Sequence, residues 1–233
     1  MAFDLIADGT TVMRDKHLLS LKDNCQIDHL EELLMAGASS LKIEGRLKDV
    51  DYVKNVTAAY SQALDAVIAK HPKDFCRAST GHSKLKFEPN VYKSFNRGFV
   101  KDTSKPDANL DTPKSIGEPV TSKTTLHNGD GLCYIEKGKL VGFRVNNANL
   151  FRPTKGTRYF RNQDTEWDKV LSKTSAERKI SVSIDLYEDS IAMSDEDGLS
   201  VSLPIEERFE LARTHQTENI ERHLKTHIAA HPE

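Results

Sequence analysis

Apolar and polar positions recur with two different periods along this chain, and the changes of period mark out its parts. Phe3 to Ile6 and Thr11 to Met13 flank Asp8-Gly9, a dipeptide suited to a hairpin turn, so two short strands are predicted. After the compact apolar run Leu18 to Leu21, the pattern predicts a helix from Asp28 through Ala36, with Gly37 placed to end it in a left-handed conformation. Ser40 to Ile43 reads as a short strand, and Glu44-Gly45-Arg46 as the loop leaving its C-terminal end. Asp49 then caps a long helix. Its apolar positions Val50, Val53, Val56, Tyr60, Ala63, Leu64 and Val67 fall three and four apart, which buries one face, and His71-Pro72 ends it.

No period holds from Lys73 to about Thr112, and Ser104 to Pro113 reads as a linker. Beyond it come short runs separated by turns: Ile116 to Thr121, Leu132 to Ile135, Leu140 to Val145 and Arg158 to Phe160. That rhythm predicts a small β-barrel. From Arg178 a third pattern begins, in which Ile180, Val182, Ile184 and Leu186 alternate with polar residues as a half-buried strand does. Ile191 to Met193 and Leu199 to Leu203 follow, joined by a hairpin loop at 195–198, and the tail after Pro204 reads as two helical pieces meeting near Thr214. The expected fold is therefore α+β in three sections with one connection. These are an α/β segment at 1–75, a connecting segment at 76–112, a small β-barrel at 113–177, and an α+β unit at 178–233.

Composition narrows the class without naming a chemistry. The 233 residues are 37% hydrophobic and 29% charged with a net charge of -2, which suits a globular protein and points to neither an anionic nor a cationic partner. No apolar run is long enough to span a bilayer, so no membrane partner is expected, and the N-terminus carries no signal-peptide pattern. Three cysteines, Cys25, Cys76 and Cys133, are odd in number and far apart, which argues for a reducing compartment and a cytoplasmic location.

Candidate chemistry is sparse. Lys42, Glu44 and Arg46 gather where a strand is expected to end, with Lys22 and Asp23 facing the same region, and in α/β folds such ends collect ligands. Ordinary surface ion pairs around Gly45 explain the same spacing, and on spacing alone are favoured. His17, Ser20 and Asp23 supply triad residue types without a triad's geometry. His223 and His227 stand four apart, but lack the glutamate of a zinc-protease motif and read as a solvated helix face. The string Phe151 to Arg161 interleaves Arg152, Lys155, Arg158 and Arg161 with three aromatics, Tyr159 among them, and contains no acid. Phosphates with stacked bases would explain it, and so would a strand with one charged and one apolar face.

Three stretches together carry a resemblance: Leu18-Leu-Ser-Leu-Lys-Asp-Asn-Cys25, Leu33-Leu-Met-Ala-Gly37, and Ser40-Leu-Lys-Ile-Glu-Gly-Arg46 with Tyr52-Val53. They closely resemble the collagenase-like peptidases of family U-32, in which a similar series precedes a long helix. Asn96-Arg-Gly-Phe99 and Asn128-Gly-Asp-Gly-Leu132 resemble later segments of that family, and the section from Arg178 its longer members' extra domain. The resemblance implies that a TIM-barrel-like half with a cysteine-rich signature precedes this part, so the chain is expected to be a C-terminal fragment lacking independent catalysis. Its expected partners are that missing half or a second copy of the chain. By the family label the function is proteolysis of a protein substrate. Relatives similar to RNA cytidine hydroxylases imply instead an RNA-modifying protein that grips structured RNA through Arg152, Lys155, Arg158, Tyr159 and Arg161, and a third reading is a non-catalytic scaffold. Those relatives also imply an iron–sulfur cluster in full-length proteins, with Cys25 as one ligand, and no cofactor in this chain, since such clusters take four ligands.

Overall fold

A computed structural model describes residues 2–46, 48–101, 107–206 and 218–223. In chain order its elements are β1 (Phe3–Ala7), β2 (Thr10–Lys16), α1 (Leu30–Met35), α2 (Val50–Lys70), β3 (His82–Leu85), β4 (Glu118–Pro119) and β5 (Gly131–Glu136). Then follow β6 (Lys139–Arg144), β7 (Tyr159–Gln163), α3 (Thr165–Leu171), β8 (Ala176–Lys179), β9 (Val182–Leu186), β10 (Ser190–Asp195) and β11 (Ser200–Pro204). Contacts divide the chain into two units, 1–76 with 86–175, and 77–85 with 176–233.

The first unit opens with the β1–β2 hairpin, whose turn has positive φ at both Asp8 and Gly9, the backbone that a two-residue type I′ turn demands. Helix α1 ends at the glycine expected to end it. Gly37 lies at φ 97°, the Ala38 amide donates to the Leu33 carbonyl, and the Gly37 amide to that of Leu34. Helix α2 begins where the Asp49 carboxylate accepts the Tyr52 amide at 2.7 Å. Leu30 and Leu34 of α1 meet Val67 of α2 in a small core, with Ala63, Leu64 and Phe75 packed against it. Val50 and Val53, at the start of the same helical stripe, remain exposed.

Two expectations fail here. Ser40 to Ile43 is not a strand: among the described residues no ladder partner lies beside it, and an extended segment needs one to satisfy its amides and carbonyls. The barrel expected over 113–177 is an open antiparallel sheet in the order β4-β7-β5-β6. One edge is β4, only two residues long and ending in Pro119, which has no amide to donate to a further strand. The linker reading also changes, because the described residues 107–110 are tied to the chain's start. The His17 amide donates to Leu110, that of Lys22 to Asp107 and that of Asn109 to Ser20.

In the second unit β3 pairs antiparallel with β8, so residues 82–85 of the expected connecting segment join this unit. β9, β10 and β11 form a separate meander in the order β11-β10-β9, distinct from the sheet at 118–163, and Gly198 turns its second hairpin at φ 84°. Its registers align Leu186, Ile191 and Leu203, and likewise Ile184, Met193 and Val201, so one face is apolar apart from Asp195, which stands opposite Val182. Leu186, Val201 and Leu203 are exposed on it. The tail helices expected after Pro204, with the bend at Thr214, lie mostly outside the described residues, as does His227; residues 218–223 are helical. Among the described residues no helix is long and apolar enough to cross a membrane.

Candidate functional site

Asp23 is the centre around which the first unit's polar residues assemble. The segment carrying it is extended: Leu21 bridges Ala108, and Asp23 bridges Phe99. The Asp23 amide donates to the Gly98 carbonyl at 2.9 Å, and its own carbonyl accepts from Val100 at 3.1 Å. Its carboxylate accepts the Arg97 amide at 2.8 Å and faces the Arg97 guanidinium at 3.4 Å. Lys48 stands 3.5 Å away on the other side. That ammonium is enclosed, without a hydrogen-bond acceptor, above the Phe95 ring at 3.6 Å and the Tyr52 ring at 5.1 Å. Burial drives the Lys48 pKa down, the Asp23 charge resists, and burial prevails. Gly98 holds φ 88°, which permits the tight return that brings Arg97 and Phe99 to opposite sides of this point.

A groove of about 1360 Å³ opens beside this centre. Its walls come from the α1 region (Cys25, Leu33), the 91–101 segment (Tyr92, Arg97), and the face of the sheet that carries Arg158 and Phe160. Three residues anticipated for separate sites, Lys22, Cys25 and Arg158, thus line one surface. Lys22 is paired with Asp107 at 2.7 Å, and Asp23 lies behind the wall in its own pairing. Lys42 and Glu44 are elsewhere, paired with each other at 2.7 Å and exposed, and Arg46 is an exposed turn residue. The expected rim therefore divides, since its strand does not form and nothing aims 42–46 at the groove.

The basic-aromatic string divides as well. Arg152 and Lys155 are exposed, with the Arg152 guanidinium donating to the carbonyls of Asn149 and Phe151. Arg158 is exposed and lies over the Phe160 ring at 5.2 Å. Alternation along β7 sends Tyr159 and Arg161 to the opposite face, where both are buried. Tyr159 packs among Tyr134, Phe143 and Phe151. Arg161 meets three carboxylates: Glu118 through Nε at 2.8 Å, Asp130 at 3.2 Å and Asp164 at 2.8 Å. An interior guanidinium so engaged has no surface to offer a phosphate.

Metal chemistry finds little support. Cys25 is half-buried with the Tyr60 hydroxyl 3.9 Å from its sulfur, Cys76 is exposed, and Cys133 is buried against the Ile116 carbonyl. Burial pushes the Tyr60 phenol up to about 12 and the Cys133 thiol to about 11, so neither ionises near neutrality. The only set of three or more metal-ligand types within reach of one another among the described residues is His127, Asp130 and Asp164, which includes no cysteine. These residues do not fit an iron–sulfur cluster. Nor are that set's carboxylates free. Asp130 accepts from the amides of His127 and Thr165, the Thr165 hydroxyl and Arg161, while Asp164 accepts from Trp167, Lys93 and Arg161. Burial works to raise the Asp130 pKa, but those hydrogen bonds outweigh it and hold the carboxyl below its usual range.

The groove owes much to residues outside the predicted sites. Arg97 and Phe99 belong to the Asn-Arg-Gly-Phe segment, which is distinctive in the sequence but announces no role there. Tyr92 and Lys48 give no local signal, because only the return of the chain sets Phe99 against the Tyr92 ring and Asp23 beside Lys48.

Residues 2–109 match peptidase family U32. Over 242 aligned residues the chain is 36% identical to a 23S rRNA 5-hydroxycytidine synthase of Escherichia coli, a match spanning 88% of this chain and 37% of that protein. It is 39% identical over 95 residues to an uncharacterized protease of Methanocaldococcus jannaschii, covering 40% of this chain and 21% of the relative. A tRNA hydroxylation protein of Bacillus subtilis is 32% identical over 83 residues, 36% of this chain and 27% of its own length. The chain thus spans well under half of each of these relatives. No solved structure matches it.

Proposed function

Since residues 2–109 place this chain in peptidase family U32, we propose that it belongs to an RNA-modifying protein and serves to bind RNA. One observation carries the reading: the similarity to the rRNA synthase covers 88% of the chain, so it extends far past residue 109 into the sheet that forms the groove's second wall. The match to the protease covers 40%. The groove supports the same reading, since it joins exposed Arg158 and aromatic rings on one surface, with Arg152 and Lys155 nearby in sequence. Proteolysis, the family's label, would need a nucleophile with an oriented base or a metal-activated water, whereas Lys22 and Arg97 of the groove are engaged in ion pairs with Asp107 and Asp23.

The test is a salt series on binding of structured RNA transcripts to the 233-residue chain. Phosphate contacts make affinity fall steeply as salt rises, by roughly one counterion per contact. Replacing Arg152, Lys155 and Arg158 together with Ala is expected to flatten that slope while leaving the fold intact, because all three are exposed. No binding at low salt, or binding indifferent to salt, would set the RNA reading aside.

A further inference from the structure

We propose that the groove beside Phe160 receives unpaired bases of an RNA, and that the phosphates are held outside it by Arg152 and Lys155; the inference rests on the RNA reading above. Two of the groove's cations are spent internally, and Asp28, Glu32 and Asp111 set acids among the rest of its lining. Lys22 is paired with Asp107, Arg97 with Asp23, and Lys16 with Asp111 at the groove's far side. A surface compensated in this way attracts a phosphate chain weakly. What it presents instead is flat: the Tyr92 ring, exposed and braced edge-on against Phe99 at 5.2 Å, and the Phe160 ring with the Arg158 guanidinium above it.

Planar groups of this kind hold bases by stacking, and every base has a face to stack. A duplex keeps those faces covered and presents sugars and phosphates, which call for uncompensated cations. At about 1360 Å³ the groove also exceeds the roughly 300–1000 Å³ of pockets that enclose one small ligand, so a short run of nucleotides suits it better than a single small molecule. Division of labour follows from the alternation of β7 and the loop before it. Arg158 and Phe160 line the groove, whereas Arg152 and Lys155 do not.

Fluorescence anisotropy on the whole chain can separate the two roles, using a labelled single-stranded oligonucleotide and its blunt duplex in a salt series. The single strand is expected to bind at least tenfold tighter than the duplex. Tyr92→Ala should weaken it by about fivefold or more while leaving the salt slope unchanged, because stacking releases no counterions. Arg152→Ala with Lys155→Ala should do the reverse, lowering the slope by roughly 0.7 for each phosphate no longer held. Phe160→Leu, which keeps an apolar side chain in the central strand, guards against misfolding, and its melting curve should overlay the parent's. Duplex bound as tightly as single strand, or a Tyr92→Ala defect that appears only as a reduced slope, overturns this inference and leaves the RNA reading standing. Binding of neither RNA at low salt overturns both.

Discussion

Arg161 shows how a side chain's fate depends on partners that its own neighbourhood does not reveal. Within the string from Phe151 to Arg161 there is no acid, so the charge reads as free; yet Glu118, Asp130 and Asp164 converge on it inside the sheet. Removing such a partner strands buried carboxylates, so Arg161→Ala is expected to cost about 3–5 kcal/mol in denaturant unfolding. An effect below about 1 kcal/mol would mean that water reaches the cluster. Asp130 carries a pH dependence whose sign is fixed. Its folded pKa is depressed, so its contribution is present above the unfolded value and is lost as pH falls through the folded one, below about 4. Acid unfolding of Asp130→Asn should show a shallower decline in that window than the parent protein. A parallel decline in both would assign the acid sensitivity to other carboxylates.

Helix α2 is legible in the sequence because a helix satisfies its own backbone: the cap at Asp49 and the spacing of Val56, Ala63 and Val67 are local facts. Ser40 to Ile43 misleads for the opposite reason. A strand exists only if something lies beside it, and composition alone does not supply the neighbour. Asn55 is the feature of α2 that periodicity misses, a fully buried amide on the helix's inner face. It donates to the Asn90 carbonyl and the Ser94 hydroxyl and accepts the Asn90 amide, anchoring the segment that goes on to carry Tyr92 and Arg97. Asn55→Ala is expected to cost about 2–3 kcal/mol by leaving buried partners unsatisfied. It should also raise amide exchange through residues 90–97. Unchanged exchange there would show that the segment holds itself. At the other end, Asp49→Ala should cost about 1 kcal/mol through the missing cap.

At the scale of the whole molecule, the two units differ in how much they enclose. Leu30, Leu132, Cys133 and Leu171 of the first are almost completely buried, whereas in β8, β9, β10 and β11 no residue is buried. Hydrogen exchange should therefore reach β9–β11 long before β5 and β7. Leu186→Ser with Leu203→Ser should change the melting of the first unit by less than about 0.5 kcal/mol, as exposed sites do. Strong destabilisation by that pair would show that the apolar face is covered in solution. The α+β character and the turn-rich rhythm of 116–163 are readable in the sequence, because both rest on local period and turn residues. The open edge of the sheet and the groove are not, because both depend on which distant segments meet.

The tie between the chain's start and residues 107–112 also has a kinetic consequence. Lys22 and Asp107 are 85 positions apart and Lys16 and Asp111 are 95, so the contacts closing the groove wall have long sequence separation. Helix α2 and the β5–β6 hairpin form from near neighbours and can assemble while that loop is still open. The wall is then among the last parts to form, since the entropy of closing the loop must be met before its contacts can reward it. Substitutions there, such as Asp107→Ala, belong to the class that accelerates unfolding and leaves the refolding rate nearly untouched.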